Sequence, residues 1–119
     1  MIFSSIEYVI GYVQDVLEIP TSTYAQKNTP NAYALVDRTG GVMDYPHDAP
    51  EYSVSIYTKS EAKSEELAHV LAIGLKTRPM KDVHVNTCAA PNVFSYGRDD
   101  AGYFIWQVSF SLVCNIHDE

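Results

Sequence analysis

The final stretch of the chain alternates between apolar and polar residues, and this pattern restricts the fold more than any other feature. Between Phe104 and Asn115, one set of alternate positions is apolar, whereas most of the other set is small and polar. Side chains of a β-strand point alternately to opposite faces, so the pattern predicts one long strand with a core face and a wet face. The predicted core face carries Phe104, Trp106, Val108, Phe110, Leu112 and Cys114.

Other β-prone runs, each bounded by turn residues, predict four further strands. We expect the first, residues 32–38, to end in a turn at Gly40 and Gly41, because glycine adopts positive φ without strain. The second, Tyr52–Thr58, alternates like the terminal strand and follows a loop that contains two prolines. The other two are residues 83–87 and residues 92–96, the latter joined to the terminal strand by a hairpin loop at 98–102.

The start of the chain predicts an amphipathic helix over residues 4–17. Its apolar residues recur at spacings of three and four, and Ser4 with Glu7 forms a capping pair at its beginning. Pro20 closes this region, and the polar stretch from Thr21 to Asn31 predicts an extended loop.

A second helix is predicted between the strand at 52–58 and Pro79. Either Thr58 or Ser60 would cap its beginning, and proline ends it because it cannot continue a helix. The predicted inner stripe is Leu67, Val70, Leu71, Gly74 and Leu75.

These elements predict one α+β domain spanning residues 1–119, with a mostly antiparallel β-sheet and two helices packed on one face. Because the second helix connects two strands as a crossover, those two strands are candidates for a parallel arrangement. With 46% apolar residues, the chain can fill the core of such a domain.

Charge and composition exclude several classes of protein. Eight Lys and Arg against fifteen Asp and Glu give a net charge of −7, which repels phosphate backbones, so we expect no specific nucleic acid as partner. No apolar run approaches the roughly 20 residues that span a bilayer, and no secretory signal is apparent, so we expect a protein made in the cytosol without a membrane partner.

The chain offers no convincing catalytic or metal-binding pattern. His84, Cys88, Cys114 and His117 are suitable zinc ligands by type, but their spacing does not support a site, since Cys114 belongs to the predicted core face. We therefore expect no enzyme activity, no metal and no cofactor. The nine tyrosines suit either a protein interface or the ordinary preference of tyrosine for strands, and the sequence leaves both interpretations open.

A group of loosely spaced motifs resembles a known family. These are Arg38-Thr39-Gly40-Gly41, the acidic proline-containing loop from Asp44 to Pro50, the strand and helix start at Tyr52–Ser60, and the segments 90–92 and 99–103 before the terminal strand. From about Ile6 to Asn115 the chain is similar to the tail terminator, or tail completion, proteins of long-tailed bacteriophages and prophages. It departs from the family at Tyr57, where a tryptophan is common.

The resemblance implies a structural virion protein. Family members form a ring, commonly a hexamer, that caps the growing tail tube, ends its polymerisation and joins the tail to the head. The implied partners are further copies of the chain, the tail tube protein and the head–tail connector protein, and the implied location is the virion tail, assembled in the bacterial cytoplasm. Alternatives are another head–tail connector, a minor capsid component, or a small ligand-binding or enzymatic α+β domain.

Interface residues are expected in the loops that the sheet holds in place. Arg38 is the predicted anchor, because a guanidinium grips a carboxylate with two parallel hydrogen bonds. Its target is either Asp44 or Asp48 of a neighbouring copy or a carboxylate of its own chain. The predicted interface set is Arg38, Gly40, Gly41, Asp44, Asp48, Tyr57, Arg98 and Asp99.

Overall fold

The computed structural model describes residues 2–24, 30–89 and 91–117. Within them, two helices and six strands follow one another in the order α1-β1-β2-β3-α2-β4-β5-β6. Their bounds are Ser5–Leu17 (α1), Thr21–Ser22 (β1), Ala32–Asp44 (β2), His47–Thr58 (β3), Glu61–Thr77 (α2), Val85–Cys88 (β4), Asn92–Arg98 (β5) and Phe104–Asn115 (β6).

Both helices begin at the predicted caps. The side chain of Ser4 accepts a hydrogen bond from the backbone N–H of Glu7 at the start of α1, and Ser60 accepts one from Lys63 at the start of α2. These bonds satisfy N–H groups that have no partner within a helix. The predicted bounds of α1 are therefore confirmed to within one residue.

The prediction that Val70 belongs to the inner stripe of α2 is wrong. Val70 is 39% exposed, and Ala68 is buried instead. The helix is rotated because Ser64, which is fully buried, donates a hydrogen bond from Oγ to the backbone oxygen of Phe104 at 2.8 Å. This contact brings the small residues of α2 against the sheet and turns Val70 outward.

The sheet has the strand order β1-β2-β3-β6-β4, with β5 also paired to β6. Among the strands of the described residues, only the β1–β2 pair is parallel, and the others are antiparallel. Both β3 and β4 run antiparallel to β6, so the two strands that α2 connects run parallel to each other with β6 between them. The predicted crossover is therefore present, although its strands are not neighbours.

The main core lies between one face of the sheet and the two helices. Val9 and Val13 of α1, Leu71 of α2, and Val54 and Val108 of the sheet are among its fully buried members. The fold is α+β, as predicted, with a mostly antiparallel sheet and two helices on one face. The opposite face, here called the helix-free face, carries small polar residues at its centre, including Ser53, Ser55, Ser109 and Ser111.

The predicted turn at Gly40 and Gly41 is wrong. β2 continues to Asp44, and its register against β3 shifts between Arg38 and Gly40, which marks a β-bulge. The predicted loop before Tyr52 is wrong for the same reason, because residues 47–51 continue the ladder as the first part of β3. Gly41, beside the bulge, has the positive φ that a turn would also have required, so the same glycines suit both structures.

Smaller differences concern short or irregular segments. β1 pairs Thr21 and Ser22 with β2 inside the predicted loop, of which residues 25–29 lie outside the described residues. β4 begins at Val85 rather than at 83, because the Asp82 side chain accepts the N–H of His84 and holds a turn there.

The predicted core face of β6 is confirmed from its centre onward, but the burial of residues near its beginning differs from the prediction. Val108, Phe110, Leu112 and Cys114 are buried against the helices. Trp106 is only partly buried, although it packs against the same core. On the helix-free face, Ile105 is buried rather than wet, because tyrosine side chains cover that end of the sheet.

Candidate assembly interface

Just after the bulge, the glycine-rich segment of β2 has a position that only glycine can occupy. Gly41 has φ of 112°, a conformation that other residues rarely adopt. A Cβ atom at this position would lie 2.2 Å from the backbone oxygen of Ala49 and 2.8 Å from Cα of Pro50. The two strands of the hairpin therefore approach each other at Gly41 more closely than any side chain would allow.

Arg38, which borders the bulge, forms an ion pair with Asp48 on the opposite strand of the same hairpin. Nη1 and Nη2 of Arg38 donate to the two carboxylate oxygens at 2.7 and 2.8 Å, and Nε donates to the backbone oxygen of Gly40 at 3.1 Å. The hydrogen bond with Asp48 is the main cause that raises the pKa of Arg38. Of the two targets left open by the sequence, the structure has the carboxylate within the same chain.

The Arg38–Asp48 ion pair, which we call the clamp, is connected to the core through Asp48. Asp48 is only 6% exposed, and Cys114 lies opposite it in the β3–β6 register. Burial, followed by the negative charge of Asp48, raises the pKa of the Cys114 thiol to about 11. Beside them, the hydroxyl groups of Tyr52 and Ser5 are 2.5 Å apart, which joins β3 to the start of α1.

Beyond the clamp, the β2–β3 hairpin ends in exposed apolar residues. Val42, Met43 and Tyr45 are 75%, 58% and 56% exposed. Together with Asp44 they form the segment that we call the hairpin tip, Val42–Tyr45. Met and Tyr are enriched in protein interfaces, so the composition of this segment is typical of a contact surface.

The tip is exposed because the strands are longer than the helices that cover them. At about 3.3 Å per residue, the 12 residues of β3 extend about 40 Å, whereas the 17 residues of α2, which packs on β3 and β6, extend about 26 Å. α2 begins three residues after the end of β3, so it covers that end of the sheet and leaves the hairpin end uncovered. Both faces of the hairpin tip therefore meet solvent.

Contacts with the C-terminal segment hold the tip in place. The backbone N–H of Ile116 donates to the backbone oxygen of Pro46 at 2.8 Å, and the Tyr45 hydroxyl lies 2.6 Å from Nδ1 of His117. The Arg38–Asp48 pair thus fixes the base of the hairpin, and residues 116 and 117 fix the tip itself. A preorganised apolar surface of this kind loses little conformational entropy when a partner binds.

The sheet has two open edges. β1 pairs only with Ala34 and Leu35, so the outer edge of β2 from Val36 to Asp44 has no partner strand among the described residues. On the opposite side, β4 and β5 pair with β6 alone within the same described part of the chain. Unpaired strand edges are ready templates for pairing with another chain.

At the end of the sheet away from the tip, three tyrosines cluster on the helix-free face. The rings of Tyr33 and Tyr57 stack at 4.6 Å, and Tyr103 meets both rings edge-on at 5.3 and 6.2 Å. Burial, followed by the nearby Tyr57 and Tyr103 hydroxyls, raises the pKa of Tyr33 to about 12. The ammonium of Lys59 lies 3.9 Å from the centre of the Tyr103 ring and donates to the backbone oxygen of Ala101.

The neighbouring β5–β6 loop is ordered by Asp99. Its Oδ1 accepts hydrogen bonds from the backbone N–H groups of Ala101 and Tyr103 at 3.0 and 2.8 Å. Arg98 is exposed and lies 5.0 Å from the centre of the Phe104 ring. Asp99 therefore has a local role in the loop, in addition to any role in assembly.

The predicted interface residues fall into two groups at opposite ends of the sheet. The first group surrounds the clamp and comprises Arg38, Gly40, Gly41, Asp44 and Asp48, and the second comprises Tyr57, Arg98 and Asp99. The sequence prediction included the loop from Arg38 to Pro50 but did not single out Val42, Met43 and Tyr45, which the structure exposes. The sequence signal for them is the apolar pair that follows the two glycines. If the strand continues past the glycines, this pair lies at the end of a hairpin that extends beyond the helices.

The residues considered as zinc ligands have other partners. The ring of His84 stacks on Phe3 at 4.5 Å, and its Nδ1 lies 2.8 Å from Oδ1 of Asp82. His117 contacts Tyr45, and Cys114 is fully buried. Among the described residues, no group of three or more His, Cys, Asp and Glu side chains is arranged to hold a metal ion.

Two comparisons with known proteins gave no match. No protein-family model matches the chain, and no curated protein matches it significantly. Neither of the two helices in the described residues is long and apolar enough to cross a membrane.

Proposed function

We propose that the protein is a structural component of a bacteriophage or prophage tail that closes into a ring, caps the tail tube and joins the tail to the head. The observation that carries this proposal is the hairpin tip, a rigid apolar surface at the end of an open sheet edge. It is built by the Arg38–Gly41 segment, which is also the most specific part of the resemblance to tail terminator proteins.

The directions of the strands support a head-to-tail arrangement of copies. β5 runs antiparallel to β6, β6 to β3, and β3 to β2, so β5 and β2 run in opposite directions. A copy related by simple rotation would therefore bring its β4–β5 edge alongside β2 in the antiparallel sense. Heterologous contacts of this kind close into a ring when the rotation divides a full turn.

The charge of the protein is compatible with a ring that surrounds DNA. The net charge is −7, and the centre of the helix-free face carries serines rather than Lys or Arg. DNA binding rests largely on neutralising phosphates with cations, so such a surface would let DNA pass without holding it.

A direct test measures both ring formation and tube capping. Purified protein, alone and mixed with tail tubes, is examined by light scattering and negative-stain electron microscopy, and a phage that lacks the gene is examined for tail length. We expect rings at tube ends, and tails of abnormal length that fail to join heads in the deletion. A chain that stays monomeric and never binds tubes, or a deletion with normal joined tails, would refute the proposal.

A second candidate is a small ligand-binding domain, and one feature favours it. A depression on the helix-free face is lined by polar side chains that include Thr39, Glu51, Asn92, Ser109 and Ser111. Convergent polar groups are a common property of ligand sites. Native mass spectrometry of the protein with a metabolite mixture would detect a bound ligand, and Ser109→Trp would fill the depression as a matched loss-of-binding variant.

A further inference from the structure

We infer that the hairpin tip of one copy binds the segment between α2 and β4 of the next copy. This inference rests on the proposed ring and names the two surfaces that close it. The receiving surface consists of Tyr8, Arg78, Lys81 and Val83, which we call the α2–β4 patch.

The strand register places these two surfaces at the same end of the sheet but on opposite edges. His47, next to the tip, lies opposite Asn115 of β6, and Val85 at the start of β4 lies opposite Cys114 of the same strand. If copies repeat side by side without a large axial shift, the tip of one therefore meets residues just before Val85 in the next. Within one chain, the width of the sheet separates the two surfaces.

The α2–β4 patch offers apolar area next to positive charge. Val83 is 89% exposed, and Lys81 and Arg78 are exposed beside a groove that Tyr8 and Tyr12 line. Val42, Met43 and Tyr45 can cover Val83, and Asp44 at the tip can pair with Lys81 or Arg78. The apolar parts and the charges are thus complementary between copies.

Two carboxylates also belong to the patch region, and one of them already has partners. Asp82 binds the backbone N–H and the ring of His84, and these contacts lower its pKa. Asp15 lines the same groove as Lys81. The groove therefore has two cations against one carboxylate, and Asp44 of the neighbouring copy would supply a second negative charge.

The patch is held in shape by hydrogen bonds between the two helices. The Tyr12 hydroxyl is shared between the backbone oxygens of Gly74 and Arg78, at 2.8 and 2.7 Å, and the backbone N–H of Lys81 donates to the Tyr8 hydroxyl at 3.0 Å. Both partners are thus preorganised, which reduces the entropy lost on association.

Cysteine cross-linking tests the contact directly. Met43→Cys and Val83→Cys are combined with Cys88→Ser, which removes the half-buried native thiol, whereas Cys114 is fully buried. Under mild oxidation, a head-to-tail contact gives a ladder of covalent oligomers that ends at the size of the ring. Each single-cysteine variant should remain monomeric on a denaturing gel, whereas a symmetric two-fold contact at either surface would give dimers and overturn the inference.

Charge exchange provides an independent measurement. Asp44→Lys and Lys81→Glu should each lower the association constant between copies by about tenfold or more, and the double variant should recover most of the loss. Glu65→Lys, an exposed charge reversal on α2, is the matched control and should leave association unchanged. Circular dichroism verifies that every variant is folded.

The outcomes separate this inference from the proposed function. If wild-type rings cap tubes but no ladder forms and the charge variants associate as the wild type does, the inference is overturned and the proposed function stands. A wild-type chain that neither forms rings nor binds tubes would overturn both. A ladder together with recovery in the double variant supports the inference.

Discussion

Replacing Gly41 by alanine tests whether the close approach of the two strands beside the bulge shapes the hairpin. The new Cβ would lie 2.2 Å from the backbone oxygen of Ala49, well inside van der Waals contact, and the obstacle is backbone rather than a movable side chain. The φ of 112° adds conformational strain for any residue with a Cβ. The hairpin must therefore open locally or the residue must change its conformation.

The two costs can be estimated separately. Backbone strain of this type costs about 1–3 kcal/mol. Opening the ladder next to Ala49 and Pro50 forfeits one or two hydrogen bonds, at about 0.5–1.5 kcal/mol each. The free energy of unfolding should therefore fall by about 1.5–6 kcal/mol, and because the clamp lies on the same hairpin, ring assembly should weaken as well.

Gly97→Ala is the matched control for this experiment. Gly97 has a similar φ of 126°, but a Cβ added there would meet no atom within 4 Å, so its replacement should cost the strain alone. Urea denaturation of both variants, followed by circular dichroism, measures the difference. If Gly41→Ala is no more destabilising than Gly97→Ala, the close approach of the two strands does not stabilise the hairpin and our account of the bulge is wrong.

Four further changes have defined outcomes in denaturation or titration experiments. Gly11→Ala, inside α1 with open space around it, should stabilise the protein by up to about 1 kcal/mol in urea denaturation. Asp48→Asn leaves Arg38 without its ion pair and should lower the free energy of unfolding by about 1–2 kcal/mol at neutral pH in the same assay. Trp106→Phe removes a buried indole N–H that has no acceptor among the described residues, so its net effect on the unfolding free energy should stay within about 1 kcal/mol. The pKa of Tyr33 is about 12 in the folded protein and lower in the unfolded chain. The contribution of Tyr33 to stability is therefore present below pH 10 and lost as the pH rises towards 12. In a pH series of unfolding experiments, Tyr33→Phe should remove this part of the loss of stability at alkaline pH.

Elements with a strong local signal were predictable because one physical effect dominates each of them. The alternation in β6 can be satisfied only by a strand with one buried face, and Ser4 and Ser60 are placed where helix N–H groups need an acceptor. These signals depend on neighbouring residues alone, so tertiary structure leaves the elements in place and changes only the burial of single residues such as Ile105.

Elements whose form depends on a distant partner were not predictable. Gly40 and Gly41 permit a turn or a bulge equally well, and the choice depends on whether residues 47–51 pair with them. Val70 fits an inward stripe by spacing, yet the hydrogen bond from Ser64 to β6 rotates the helix. In both cases the deciding contact joins segments that are far apart in the sequence or lie in different elements.

The exposure of the hairpin tip follows from a difference in length that local patterns do not contain. A strand residue advances the chain by about 3.3 Å and a helix residue by about 1.5 Å, so α2 would need about nine more residues to match the length of β3, on which it packs. The chain instead turns at Pro79 and returns as β4, which leaves Val42 and Met43 uncovered and exposes Val83 at the same end of the sheet. The shortness of α2 therefore creates both surfaces of the proposed contact, and a copy placed alongside would cover the apolar area that the helices of its neighbour do not reach.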